Sequence, residues 1–468
     1  MKRALLATTA ASLLFLAGCT VGPNYKRPVV NVPATYRSAS DETVTNTKDA
    51  ASLGDEKWWT VFQDEQLQQL IRTALKQNFD LRIAATRILQ AQEQLTITRS
   101  NQFPAVSGGP SISGVRQSGI PNVFRAYSYL ADQIGLSASW NIDFWGRYRR
   151  ETEAARANLR ATEWGRRAVV STLVANLASA YFALREYDLE LEVAQRTLAS
   201  RKESLKLTQT LEQGGATSLL DVRQAEQLVE EAAESIPATE RAMQTAENQI
   251  SILLGENPQS IPRGRALTEE PLPQTIPAGL PSRLLERRPD IERAEQQLVA
   301  ANAQIGVARA QLFPQISLTG NAGLQSIGLH NLFDWPSRTW TWTASATQPI
   351  FNAGALRANV RLSRAEQQQA LLTYEQTIQQ AFREVSDSLI AYSKFRQFRA
   401  HQEALTAAAR GASDLSHTRY QGGVTSYLEV LTSETNYFSA QLNLARAQLN
   451  ERLSLVQIYN SLGGGWEQ

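Results

Sequence analysis

The side chains that most often carry chemistry are scarce in this chain of 468 residues. His330, His401 and His417 show no paired spacing that would hold a metal, and Met1 and Met243 are the only methionines. Neither a glycine-rich phosphate loop nor a nucleophile elbow occurs. Carboxylates are abundant, but most fall on predicted helix faces beside Arg or Lys, where a solvated surface accounts for them. An enzymatic reading finds no constellation to build on, and no metal or other cofactor is implied. One reactive side chain remains, the single cysteine Cys19.

Its context assigns that thiol a use. Lys2 and Arg3 precede an apolar run from Ala4 to Leu16, too short to cross a bilayer and ordered like a secretory signal. The run ends in Leu16-Ala17-Gly18-Cys19, which resembles a bacterial lipobox, where the cysteine is acylated and the peptide is cut just before it. With no second cysteine there is no disulfide framework. Thr20 follows in place of an aspartate, which by analogy with bacterial lipoproteins favours delivery to the outer membrane. Forty-seven basic against forty-five acidic residues leave +2, too little to gather nucleic acid.

The elements behind this anchor are written twice. Asp80 matches Asp290 and Phe103-Pro104 matches Phe313-Pro314, each 210 residues apart. Gly146 matches Gly354, Gly214-Gly215 matches Gly422-Gly423, and Leu254-Gly255 matches Leu462-Gly463, each 208 apart. In each half, residues 65–102 and 286–313 read as helix ending at Phe-Pro. Longer helices are predicted from Gly146 to Gln213 and from Gly354 to Gln421, with apolar stripes such as Val170, Leu173, Leu177, Tyr181 and Leu184. At 1.5 Å per residue each reaches roughly 100 Å, more than a compact domain needs. A glycine pair stops each one, and Ser218 to Asp221 and Ser426 to Glu429 have capping-box spacing for the next helix. Pro237 is expected to kink the first of these. A rival reading, Ala168 to Leu184 as a membrane helix, is weakened by Ser171, Thr172, Asn176 and Ser179.

Between the helices the period changes to two. From Gln133 to Phe144 even positions are apolar and odd ones polar or small, and the same holds around 315–325 and 340–347; a less regular strand lies near Val106 to Gln117. Leu136, Trp140, Leu318 and Trp342 are expected on a lipid face, with Ser137, Asn141, Thr319 and Thr343 on a water-filled lumen face. A soluble sandwich gives the same alternation. Position favours a barrel, because both hairpins sit at the same end of very long helices. Four strands cannot close one, so several chains must pool theirs.

Specific motifs then carry a resemblance over the whole chain. They are Cys19 followed by Val21-Gly22-Pro23-Asn24-Tyr25 and Pro28, Trp58-Trp59 and Phe62 before Asp64, and Leu280-Pro281-Ser282 running into Arg287-Arg288-Pro289-Asp290-Ile291. Phe313-Pro314, Gly422-Gly423-Val424 before Tyr427-Leu428, and the closing Leu462-Gly463-Gly464-Gly465-Trp466 complete the set. The chain resembles TolC-type outer-membrane efflux proteins, in the NodT and OprM-like lipoprotein branch that serves resistance-nodulation-division (RND) pumps. That resemblance implies a mainly α fold with a β-barrel portion: a homotrimer with a twelve-stranded barrel and a twelve-helix periplasmic tunnel in the outer membrane. It implies as partners a periplasmic adaptor and an inner-membrane RND transporter, with drugs or toxins passing through; the same fold in heavy-metal export and a non-porous lipoprotein scaffold are the alternatives.

The expected organisation is a signal peptide over 1–18, an anchor and equatorial segment over 19–64, a first repeat over 65–255, a linker over 256–285, a second repeat over 286–463 and a tail over 464–468. The gate is expected at the helix tips around Gly214, Gly215, Gly422 and Gly423. In a trimer, Asp414, Leu415, Thr418 and Arg419 in the last turns of the long helix would each appear three times, and rings of charge or leucine narrow a pore. Glycine pairs are also ordinary helix stops.

Overall fold

The structure, a computed structural model, describes residues 20–37, 44–45, 52–119, 125–269, 273 and 275–466. Cys19 and the expected signal peptide lie outside the described residues. The first half supplies helices α1 (Glu65–Gln77) and α2 (Phe79–Ser100), strands β1 (Ala105–Gln117) and β2 (Tyr127–Ile142), and helices α3 (Arg147–Gln213) and α4 (Leu219–Leu254). The second supplies the same six elements: α5 (Pro281–Arg287), α6 (Pro289–Ala310), β3 (Gln315–Ser326), β4 (Arg338–Thr347), α7 (Ala355–Gln421) and α8 (Tyr427–Ser461).

The helix expected over 65–102 is therefore two helices, as is its repeat. Asn78 adopts extended geometry (φ −55°, ψ 131°), accepts from Leu81 N at 3.0 Å and donates to Leu253 O at 2.9 Å. Its side chain starts α2 and holds the end of α4 at once. Arg288 breaks the second pair for another reason: Pro289 follows it, and a residue before proline is pushed out of helical geometry. β2 stops at Ile142, short of the expected Phe144, because Asp143 turns to cap α3, accepting from Tyr148 N at 3.1 Å and Arg149 N at 2.9 Å. Helix α4 runs through Pro237 as one assigned span.

Two compact units are present, one built from the segment ending at Val29 with Arg87–Glu163 and Arg293–Glu375, the other from Val30–Thr86, Trp164–Glu292 and Gln376–Gln468. The first contains an antiparallel sheet in the order β1-β2-β3-β4. The second is held by the apolar stripes of α3 and α7: Val170, Leu173, Leu177, Tyr181 and Leu184, and Tyr374's successors Ile378, Val385, Leu389 and Tyr392, are buried. The stretch that scores as a membrane helix thus faces protein, and Ser171 within it donates to Asn460 Oδ1 at 3.0 Å. In the same unit Asp64 caps α1, accepting from Gln66 N at 2.7 Å, and takes a bond from the Tyr181 hydroxyl at 2.9 Å. Burial and that carboxylate push the Tyr181 phenol up, so it stays a donor. Arg288 spans Asp290 (2.7 Å) and Glu384 (2.8 Å) and donates to Ser461 O at 3.1 Å, which explains an arginine at that point of the motif.

Candidate functional site

Three places carry the expected functional residues. The first is the segment that follows Cys19. Val21 N donates to Trp145 O at 3.1 Å, Asn302 Nδ2 to Pro23 O at 3.0 Å, Arg150 Nη2 to Asn24 Oδ1 at 2.7 Å, and the Tyr25 hydroxyl to Glu295 Oε1 at 3.0 Å. Arg27 pairs with the same Glu295 at 2.7 Å. The segment is thereby strapped along α6 from Gly306 to Glu295. Two glycines make this approach possible: a Cβ on Gly22 (φ +111°) would lie 2.5 Å from Gly306 Cα. Thr20 itself lies against Gly146, at the junction of β2 and α3. Gly306, a glycine inside a helix, is the sequence signal of this close approach.

The second place is the sheet. Its register sets Trp140 opposite Leu318, Leu136 opposite Ala322, and Gly320 opposite Trp342. Leu136, Trp140, Leu318 and Trp342 therefore share one face, since facing partners in a ladder point the same way. Ser137 opposite Asn321, Asn141 opposite Ser317, and Thr319 opposite Thr343 fall on the other. The two faces differ in kind. On the polar one Ser107 and Ser137 hydroxyls are 2.8 Å apart and Ser317 and Ser345 2.7 Å apart; on the apolar one Leu136, Trp340 and Trp342 are exposed. Trp140 turns its indole N–H to Gln102 O at 3.0 Å, at the helical end of the sheet.

The third place is the helix tips. Gly215 and Gly423 both take positive φ (74° and 70°) with open space where a Cβ would be, so conformation and not crowding demands glycine there. Ser218 and Asp221 form the expected capping box, with bonds of 3.4 and 3.2 Å. Ser426 does not: its side chain caps nothing, while the Glu429 carboxylate bonds Thr425 and pairs with Arg419 at 3.2 Å. The tips meet where Tyr420 and Tyr427 rings lie 5.3 Å apart beside Ala225 and Val430. Among the expected gate residues, Asp414 and Leu415 are exposed, Thr418 bonds back to Asp414 O at 3.0 Å, and Arg419 is held by Glu429.

Behind these residues lies a charge cluster that the sequence did not reveal. Arg201 of α3, with a side chain 1% exposed, donates to Leu228 O at 2.7 Å, pairs with Glu231 at 3.2 Å, and sits over the Phe438 ring at 5.0 Å. Glu434 of α8 is 3.9 Å from Arg201 Nε and 2.6 Å from His417 Nε2 of α7. The bond to Glu434 raises the His417 pKa, with burial opposing and the Glu434 and Asp414 charges adding to the rise. A cavity of about 220 Å³ lined by Ser413, Asp414, His417 and Tyr437 adjoins the cluster. Elsewhere in this unit Glu186 is pushed up to about 8, by burial first and then by the neighbouring Glu190 carboxylate.

The chain matches the family model described as outer membrane efflux protein over residues 70–256 and 280–464. It is 37% identical over 473 residues to the probable efflux pump outer membrane protein TtgC of Pseudomonas putida, covering all of this chain and 96% of that protein. It is 35% identical over 457 residues to the cation efflux system protein CusC of Escherichia coli, covering 97% of each. The solved outer-membrane channel OprN superposes with a TM-score of 0.89 at 31% identity, over 96% of this chain and 100% of that one. The open state of the Neisseria gonorrhoeae MtrE outer membrane channel gives 0.85 at 32%, over 96% and 99%.

Proposed function

The chain belongs to the outer membrane efflux protein family, a family of transport channels, and we propose that three copies form the exit duct of a tripartite pump that carries small-molecule drugs or toxins out of the cell. One observation supports an oligomer most strongly. A four-stranded sheet whose faces divide into apolar and polar, with β1 and β4 each unpaired on one side among the described residues, cannot close a barrel whose minimum is about eight strands. Three copies supply twelve strands and leave no edge. A periplasmic adaptor and an inner-membrane RND transporter are the partners this assignment requires. Relatives named for cation, antibiotic, toluene and solvent efflux share the fold, which fits a conduit whose selectivity resides elsewhere in the pump. Ion conductance across a planar bilayer separates such a duct from a non-porous scaffold.

The strap beside Trp145 supports an acylated Cys19 at the barrel's periplasmic rim, one residue before Thr20. Several acyl chains on one residue hold firmly, at about 0.8 kcal/mol per buried methylene. Intact mass spectrometry of the membrane-extracted protein is expected to show an N-terminal, acylated Cys19, and Cys19→Ala is expected to leave the leader uncut. An unmodified Cys19, or retention of Met1 in the wild type, would refute this.

A further inference from the structure

The turn joining β3 to β4 is a built loop with unusual surface chemistry. It holds two short helical turns, Leu329–Asn331 and Trp335–Ser337, with Leu332 buried as its anchor and Ser337 Oγ donating to Asn331 O at 2.6 Å. Around that anchor Ile327, Leu329, Phe333 and Trp335 are 66–77% exposed. Arg338 lays its guanidinium 3.5 Å from the Trp335 ring centroid. It has no carboxylate partner among the described residues, and Asp334 is bonded through its backbone alone, donating to Asn331 O and accepting from Ser337 N.

Topology fixes where this loop lies. β3 follows α6 and β4 leads to α7, so the turn between them is at the sheet end away from those helices. In an outer-membrane channel with a periplasmic helical part, that end faces outward. Arg338 pairs with Leu324 and shares a face with Trp340 and Trp342, so one cation caps an aromatic column about 13 Å long.

We propose that this loop is a docking site for a phosphorylated lipid of the outer leaflet. Arg338, preset on the indole, presents its planar row of donors to the phosphate, a geometry in which guanidinium bonds in pairs. Trp335, Phe333 and Leu329 lie among the acyl chains, continuous with Trp340 and Trp342. The proposal rests on the reading that this sheet face meets lipid.

The test titrates the detergent-solubilised trimer with diphosphorylated lipid A and with its dephosphorylated form, counting bound lipid by native mass spectrometry. The phosphorylated form is expected to bind wild type roughly tenfold more tightly than Arg338→Ala or Trp335→Ala, with Arg338→Lys between them. Equal binding by wild type and both alanine variants overturns the site. Equal binding accompanied by a rise in channel conductance would place the loop over the pore mouth instead. Quenching of Trp340 and Trp342 by brominated lipid, read in parallel against Trp→Phe variants, keeps the two ideas apart: if quenching persists while Arg338→Ala binds normally, the site falls and the lipid face stands. Loss of quenching removes both.

Discussion

Leu136→Arg is expected to abolish assembly, while Ser137→Arg one position along is expected to give trimer close to the wild-type yield. Leu136 lies well inside β2, exposed on the apolar face, with its methyl against the backbone of Gly108. An arginine there meets lipid near the midplane, where it costs roughly 2–4 kcal/mol per copy and is repeated three times. Ser137 points to the other face, and its replacement forfeits one hydroxyl contact with Ser107 at 2.8 Å, about 1 kcal/mol, in water. A register slip of one residue would exchange the two results. Heat-resistant trimer on semi-native gels reads the outcome. Equal yields from both variants would remove the lipid and lumen assignments, and with them the shared barrel.

The second large effect is expected at the tips. Glu434 neutralises Arg201, which is buried and whose other carboxylate, Glu231, is partly exposed, so Glu434→Leu leaves a buried cation short of a counter-charge. Breaking such a pair costs about 3–5 kcal/mol. Amides of the α7–α8 turn are expected to lose protection from hydrogen exchange by orders of magnitude, and Arg201→Met added to Glu434→Leu is expected to restore most of it. His417 makes the same cluster sensitive to pH. Its pKa is raised in the folded protein, so its contribution is complete below the ordinary histidine value and is lost as pH rises through the raised one. Protection of the turn, corrected for intrinsic exchange, should therefore fall from pH 5.5 to 8.5, and His417→Gln should flatten that slope. Unchanged protection in Glu434→Leu would reduce the cluster to a bystander.

Much of this was legible because it is periodic. Alternation from Gln133 onward assigned side chains to faces before any partner strand was known, and the glycine pairs marked both tips, since positive φ is a local demand. What escaped the sequence depends on distant partners. Asn78 is tolerable inside a helix until Leu253 O arrives to take its amide, and Ser426 has capping spacing but makes no cap, with the Glu429 carboxylate on Thr425 and Arg419. Arg201 and Glu434 each look like surface charges on a helix. Only packing of α3 against α8 turns them into a buried pair. The Gly22 and Gly306 contact belongs to the same class: each glycine is unremarked alone, and the reason for both is their meeting.

The most direct measurement of the central claim is single-channel conductance of the purified protein in a planar bilayer, with wild type and Asp414→Ala/Leu415→Ala compared. Both replaced residues are exposed on the last turns of α7, where a threefold ring would narrow the conduit without holding the subunit together. Wild-type trimer is expected to give discrete current steps, and the double variant larger steps at equal trimer yield. Trimer shown by protease accessibility to have inserted, yet passing no current in either form, would contradict a duct and leave a scaffold in its place.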